Sequence, residues 1–317
     1  MVDLSQFGNL ADMTAYYISE ERCRDAIIER RWGSGDEQDV VCPYCGGHHC
    51  RRRKGGKLRC PQCKRDFSYL AHTIFKNTKI PLRKWFIAIY HMSSNKNGIS
   101  SCQLAREIGI TQKSAFYMLK KIRTLNTQTP DKQMSGIVEC DEVYIGGKEK
   151  WKHLAKRTRK TQGRSTQTKT PVFGMIERSY IVNKKRKKET MTYVRALVVK
   201  DTSGPTLKPI ISRYVAKGST IYTDEYPPYL SLPELGYTHR VCLHKKRKYV
   251  CDGVVHTNNT ECFWNHFRCM ITGCYNNVSK AYLQTYVDEA CFRWNTRKMS
   301  ESERVVLLFN AALGMVT

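Results

Sequence analysis

Two cysteine pairs fourteen residues apart, "CPYC" (Cys42, Cys45) and "CPQC" (Cys60, Cys63), constrain this chain more than any other feature. Residues 40 to 75 around them are dense in Cys, Gly, Arg and Lys and poor in aliphatics. Such a segment cannot bury enough apolar surface to fold unaided. Each CxxC supplies two thiolates to a tetrahedral ion, and two such knuckles close a structural Zn²⁺ site, which replaces the missing core. The intervening "GGHHCRRRKGGKLR" has the Gly turns of a short hairpin. Redox CxxC pairs follow a βαβ pattern that is absent here. A Cys-four site leaves Cys50, His48 and His49 as spare candidates without a role. Arg51, Arg52, Arg53, Lys54 and Lys57 are then displayed on a rigid ribbon, placed for nucleic-acid contact or, more plainly, solvated.

The remaining cysteines of the fourteen are scattered through the 317 residues. The N-terminus carries early acids and no apolar signal core, so the expectation is reduced thiols in an intracellular protein. Lys and Arg number 54 against 28 Asp and Glu, a formal charge of +26. That excess selects polyanionic partners, with DNA first, because each neutralised phosphate releases condensed counterions. No run of about 18 apolar residues exists to cross a membrane.

The organisation is multidomain. Residues 1–39 form a helical lead-in with Leu10, Met13, Tyr17 and Ile27 at helical spacing, and residues 40–75 the zinc ribbon. Residues 81–125 carry three helical stretches. The second and third, Ser101 to Glu107 and Thr111 to Arg123, flank a turn at Gly109 and read as an all-α helix-turn-helix. Gln112, Lys113 and Ser114 open its recognition helix, where base edges are reached. A plain three-helix packing unit is the alternative. Residues 126–135 read as a linker.

From residue 136 the texture is strand-like: "GIVECDEVYIGG", "PVFGMIERS" and "MTYVRALVVKD", then a helix from Pro205 to Lys217, then "TIYTDEY" and "THRVCLH". Helices near Glu261 to Met270 and Lys280 to Trp294 close an α/β domain over residues 136–300. A basic insert spans 148–170, and 301–317 read as a C-terminal tail. Asp141 and Asp224 end β-rich runs, and Glu261 lies where a helical pattern begins. Two acids on strand ends and one at a helix start fit the strand order of a ribonuclease H-like fold. Three such carboxylates can hold two divalent ions for phosphoryl transfer, and an all-oxygen donor set suits Mg²⁺. Asp224 also has the plain reading of a turn cap. Glu142 and Glu225 point to the opposite face from their neighbours.

"VECDEVYIGGKEK", "KTPVFGMIER", "YTDEY" and "HTNNTECFWNHFR…VDEACFRWNTR" resemble bacterial insertion-sequence DDE transposases whose eukaryotic relatives are the Merlin elements. The ribbon and "GISSCQLAREIGITQKSAFYMLKKIR" are similar to the N-terminal part of the same group, so the likeness covers roughly residues 40–300. The resemblance implies Asp141 as the first catalytic carboxylate, bridging two Mg²⁺ or Mn²⁺ ions, and Asp224 as the second. Glu261 is the third, with Asn258 as its competitor. Arg268 stands where the group places Lys or Arg against phosphate, and His256 orients a metal ligand or a phosphate, or is structural. In the insert, Lys156, Arg157, Arg159 and Lys160 are candidates to grip DNA ends. The implied activity is a DNA transposase that binds terminal inverted repeats, frees 3′ hydroxyls and joins them to target DNA. It would work as a homodimer or higher synaptic oligomer. A nuclease or resolvase on the same fold, and a non-enzymatic DNA-binding regulator, are the rivals.

Overall fold

Where the sequence turns from cysteine-rich to helical to β-rich, the chain divides into two units, one of residues 1–128 with 298–317 and one of residues 129–297. The computed structural model describes residues 7, 9–33, 36, 39–53, 56–127, 133–146, 153–158, 165–183, 186–242 and 256–315.

The first unit opens with α1 (Leu10–Tyr16) and α2 (Glu20–Trp32). Asn9 and Ser19 cap them by accepting the backbone N–H groups of Asp12 and Arg22. The ribbon follows as three two-residue strands, β1 (Arg51–Arg52), β2 (Leu58–Arg59) and β3 (Asp66–Phe67), antiparallel in that order. Its small core takes Trp32 from α2, which meets Phe67 edge-on at 6.5 Å, together with Val40, Leu58 and Ala71. The lead-in helix is therefore part of the ribbon's core, since four apolar residues of the ribbon segment pack with Trp32 around the thiols.

Next come α3 (Leu82–Ser94), α4 (Ser101–Ile108) and α5 (Gln112–Arg123). Buried Trp85, Phe86, Ala88 and Ile89 line the inner face of α3. Gly109, at φ +62°, ends α4 in the left-handed region that costs an L side chain strain, and Thr111 starts α5 two residues later by accepting Ser114 N–H at 3.2 Å. Ile108, Ala115, Met118, Leu119 and Ile122 bury the inner sides of the pair.

The second unit is a five-stranded mixed sheet. Its strands are β4 (Ile137–Gly146), β5 (Lys169–Asn183), β6 (Arg186–Val198), β7 (Thr220–Thr223) and β8 (Thr238–Val241), in the order β6-β5-β4-β7-β8. The first three form an antiparallel meander; β7 and β8 run parallel to β4. Between β6 and β7 lies α6 (Gly204–Tyr214), and after β8 come α7 (Asn258–Met270) and α8 (Leu283–Asn295). Alternation sorts the sheet's two faces. Val138, Cys140, Phe173, Met175 and Ile221 pack with Leu207 and Ile211 of α6. Val143, Val172, Ile176 and Val194 pack with Phe263, Trp264 and Phe267 of α7 and Val287 of α8. Thus β4, central and buried on both sides, carries odd-numbered side chains toward α7 and even-numbered ones toward α6.

One edge of this sheet is closed by side chains. Gln284 accepts Val198 N–H at 2.7 Å and donates to Ala196 O, while Asn295 accepts Val194 N–H at 2.8 Å and donates to Val194 O. Two amides three turns apart on α8 stand in for a sixth strand, which removes the pairing hazard of a bare edge.

The chain then returns to the first unit as α9 (Glu301–Ala312), opened by a capping box between Ser300 and Glu303. Phe309 packs against Phe75 and Phe86, and Ala312 O accepts Ile74 N–H. This corrects the expectation of a tail over 301–317: Val305, Leu308, Phe309 and Ala312 are buried at helical spacing. The linker expected over 126–135 also shrinks, since Thr124–Thr127 form a 3₁₀ turn and Met134 is buried in a bridge to Val215; residues 128–132 lie outside the described residues. Among the described residues no helix is long and apolar enough to cross a membrane.

Candidate functional site

The cysteine centre is assembled by two tight turns. Gly46 N–H donates to Cys42 O and Lys64 N–H to Cys60 O, which folds each CxxC back on itself. The four sulfurs of Cys42, Cys45, Cys60 and Cys63 lie within 4.8 Å of one another. Cys42 Sγ is 3.7 Å from Cys63 Sγ, and Cys45 Sγ 3.6 Å from Cys60 Sγ. A tetrahedron with zinc–sulfur arms of about 2.3 Å has edges of about 3.8 Å, so the donor set fits zinc as it stands. The backbone amide of Cys63, then that of Gln62, pulls the Cys60 thiol down to about 6. Cys50 is buried but gives its thiol to Gly47 O, outside the cluster.

Chelation is expected to release one zinc per chain and to melt residues 40–75 while the second unit stays folded, as followed by hydrogen exchange. Cys60→Ser should abolish zinc uptake measured by metal analysis, whereas Cys50→Ser should retain the full stoichiometry.

The acids converge in the second unit. Asp141 sits mid-way along β4, on the side that faces α7. The parallel β4–β7 register pairs Glu139 with Tyr222, and continuing it by two residues brings Asp224 level with Asp141. Asp224 begins the turn after β7, where its Oδ1 accepts Tyr226 N–H at 3.0 Å. The turn reading of Asp224 is therefore met, and the Asx turn holds its carboxylate beside β4. Glu261, exposed in the first turn of α7, completes the group.

Burial raises the Asp141 carboxyl to about 7, and the negative charges of Asp224 and Glu261 add to the rise. The backbone amide of Glu142 and the indole of Trp264 oppose it. Three acids thus share one field, an arrangement that costs stability unless cations enter it.

Trp264 explains how α7 approaches β4 so closely. Gly174 pairs with Asp141 across the β4–β5 ladder. A Cβ there would lie 2.5 Å from the indole Cζ2 of Trp264, so only glycine leaves the ring its place. The buried indole N–H makes no hydrogen bond of normal geometry, yet lies near enough to Asp141 to act on it.

Glu139, two residues before Asp141 on the same face, is the residue that sequence reasoning missed. Its fully buried carboxylate accepts the backbone N–H groups of Asn259 and Thr260, both at 3.1 Å, and Asn259 Nδ2 at 2.6 Å. It also pairs with the buried Arg178 guanidinium. Thr257, the N-cap position of α7, makes no side-chain cap, so Glu139 supplies the anion at this helix start. Arg178 Nη2 donates in turn to His256 O at 2.6 Å and to His256 Nδ1 at 2.7 Å. Because Arg has no acceptor, Nδ1 must be the unprotonated nitrogen, and burial followed by the Arg178 charge lowers the His256 pKa. The signal available in sequence was an acid at i−2 to Asp141, on the same strand face.

The other candidates are placed as follows. Asn258 is exposed one turn before Glu261, and its N–H donates to His256 Nδ1. Arg268 is exposed, about 10 Å along α7 from Glu261 by helical rise. Glu142 points to the opposite face, where it accepts the buried Tyr229 hydroxyl. Gln112 and Lys113 are exposed at the start of α5, and Gln112 Nε2 donates to Ser101 Oγ; Ser114 Oγ accepts from Thr111 Oγ1. Arg51, Arg52 and Arg53 are exposed on the ribbon hairpin, with Arg53 4.0 Å from Asp66. Lys156 and Arg157 are exposed around a 3₁₀ turn; Arg159 and Lys160 lie outside the described residues.

Comparison with known proteins matches residues 133–295 to the ISXO2-like transposase domain and residues 18–66 to the transposase zinc-ribbon domain. The ribbon match begins within the lead-in, in keeping with the burial of Trp32. A protein of Halobacterium salinarum described as an uncharacterized protein in transposable element ISH50 is 26% identical over 310 residues, covering 94% of this chain and 98% of that protein.

Proposed function

The chain belongs to the family of ISXO2-like transposases, and we propose that it cuts and joins DNA strands at Asp141, Asp224 and Glu261. The observation that carries the proposal is geometric: the β4–β7 register sets Asp224 level with Asp141, and α7, packed on the same face of the sheet, carries Glu261 in its first turn. Burial first, and then the charges of Asp224 and Glu261, raise the Asp141 carboxyl, which supports the same reading. The sheet order β6-β5-β4-β7-β8, with the acids at the central strand, its parallel neighbour and a following helix, supports a ribonuclease H-like reading. The all-oxygen donor set suits Mg²⁺ or Mn²⁺. When bound, two such ions activate the attacking oxygen and stabilise the leaving one in an in-line displacement at phosphorus.

The residues divide the remaining work. Asp141, Asp224 and Glu261 would hold the ions together. Glu261 is preferred to Asn258 as third ligand because it offers a charged carboxylate, the donor that hard divalent ions favour. Arg268, on the same helix, offers a cation to DNA phosphate. In the first step water attacks phosphorus at the element's end, and the P–O3′ bond breaks to free a 3′ hydroxyl. In the second that hydroxyl attacks a target phosphorus, forming one P–O bond as another breaks. The left-handed turn at Gly109 and the exposed start of α5 support a helix-turn-helix that reads the element's ends through Gln112, Lys113 and Ser114. Holding two ends together requires at least two copies.

A labelled duplex carrying the element's own end tests the reading. Cleavage and joined products are expected with Mg²⁺ or Mn²⁺ and none with EDTA. Cutting without joining would assign a nuclease, and end binding without any metal-dependent chemistry would assign a regulator.

A further inference from the structure

The first unit contains a basic groove that the reading above leaves unused. It has a volume of about 550 Å³ and lies between residues 73–80 and the second half of α5. Lys76, Lys79, Lys121 and Tyr117 line it, along with the hydroxyls of Thr73, Thr78 and Thr124, and among the described residues no acid does.

Both walls are built in advance. Thr78 Oγ1 accepts Ile80 N–H at 3.0 Å and the Trp85 indole N–H at 2.9 Å, and Thr73 Oγ1 accepts Phe75 N–H at 3.1 Å. Those bonds hold the 73–80 segment on the buried α3 core while Lys76 and Lys79 stand exposed. On the other wall, Lys121 Nζ donates to Ile74 O at 3.0 Å and lies 5.0 Å from the Tyr117 ring centroid. An ammonium has three donors, so one such bond leaves capacity for an anion. Tyr117 is 52% exposed, an unusual position for a large ring on a packed helix.

Spacing links the groove to the start of α5. Lys113, Tyr117 and Lys121 recur every four residues and share one stripe, rising about 6 Å per step. The stripe runs from the helix end assigned to base edges into the groove. Cations and a phenol at that interval match a strand's backbone, where contacts position a protein without reading sequence.

We propose that this groove holds the sugar–phosphate backbone of one DNA strand, with Lys76, Lys79 and Lys121 on phosphates and the Tyr117 phenol against the same strand. The proposal rests on α5 being the DNA-recognition helix.

The test is binding to a duplex with the element's end, and to an unrelated duplex, across a salt series. Lys76→Gln with Lys79→Gln should lower the log–log salt slope by about 2. Both duplexes should weaken by the same factor, with the melting temperature unchanged. Lys76→Arg with Lys79→Arg should keep the wild-type slope. An unchanged slope in the glutamine variant, with wild type still preferring its end, overturns the groove and leaves the recognition helix standing. Lost discrimination at constant slope also overturns it, because the contact is then to bases. Wild type that prefers neither duplex overturns both.

Discussion

Asp141→Asn is expected to lower strand cleavage and strand joining by about 10³-fold or more, equivalent to about 4 kcal/mol of transition-state stabilisation. Asp224→Asn and Glu261→Gln should fall similarly, with DNA affinity retained by the first unit, while Asn258→Ala should stay active. The same substitution should raise the stability of the metal-free protein. Burial, and then the charges of Asp224 and Glu261, lift the Asp141 carboxyl from the ordinary 3.8 to about 7. A group shifted upward in this way destabilises the fold once ionised: the cost begins above about pH 4, grows to about pH 7 and then stays constant. Metal-free Asp141→Asn should therefore melt several degrees above wild type at pH 8 and close to it at pH 3.5. Added Mg²⁺ or Mn²⁺ should stabilise wild type by mass action and leave the variant almost unmoved. Equal melting of the two proteins at pH 8, with and without metal, would remove Asp141 from any ion site. An active Glu261→Gln beside an inactive Asn258→Ala would move the third ligand one helical turn upstream.

Much of this architecture was legible because it rests on local chemistry. Two CxxC spacings define a tetrahedral site almost without reference to the rest of the chain, and Gly109 followed by Thr111 announces a helix stop and start. The strand and helix sequence of the second unit followed from periodicity, as did Asp224 just past a strand and Glu261 in a first helical turn. Asp141, expected at a strand end, instead lies mid-way along β4 because the strand runs on to Gly146. What escaped depends on partners distant in sequence. Trp32 looks like the end of a polar helix until the ribbon's core is seen to include it. Residues 301–312 carry a helical apolar pattern, but nothing nearby says that the chain returns to α3. Glu139 was passed over for the same reason, its donors lying 39 and 120 positions away at Arg178 and Asn259. The amides of Gln284 and Asn295 that close the β6 edge are likewise ordinary polar residues until the edge strand is beside them.

Glu139→Ala should cost the second unit about 3–5 kcal/mol, because it leaves the buried Arg178 guanidinium without its carboxylate. Loss of the cap on Asn259 and Thr260 N–H adds about 1 kcal/mol. For a unit of 169 residues (129–297), that corresponds to a fall of roughly 10 °C in melting temperature. Activity should fall with it, since α7 is docked to β4 at the point that sets Glu261 beside Asp141. Stability and docking can be separated. Replacing both partners, as Glu139→Leu with Arg178→Met, removes the stranded charge and should restore much of the melting temperature. It supplies no acceptor for the α7 N–H groups, so strand joining and Mn²⁺ affinity should stay low. A double variant that regains both melting temperature and Mn²⁺ affinity would reduce Glu139 to a packing residue. One that regains melting temperature alone would show that the β4 carboxylate places the third acid of the site. In that outcome β4 holds two acids with opposite duties: Asp141 kept in an environment that resists its charge, and Glu139 satisfied by donors from Arg178, Asn259 and Thr260 so that its neighbour's partner is held still.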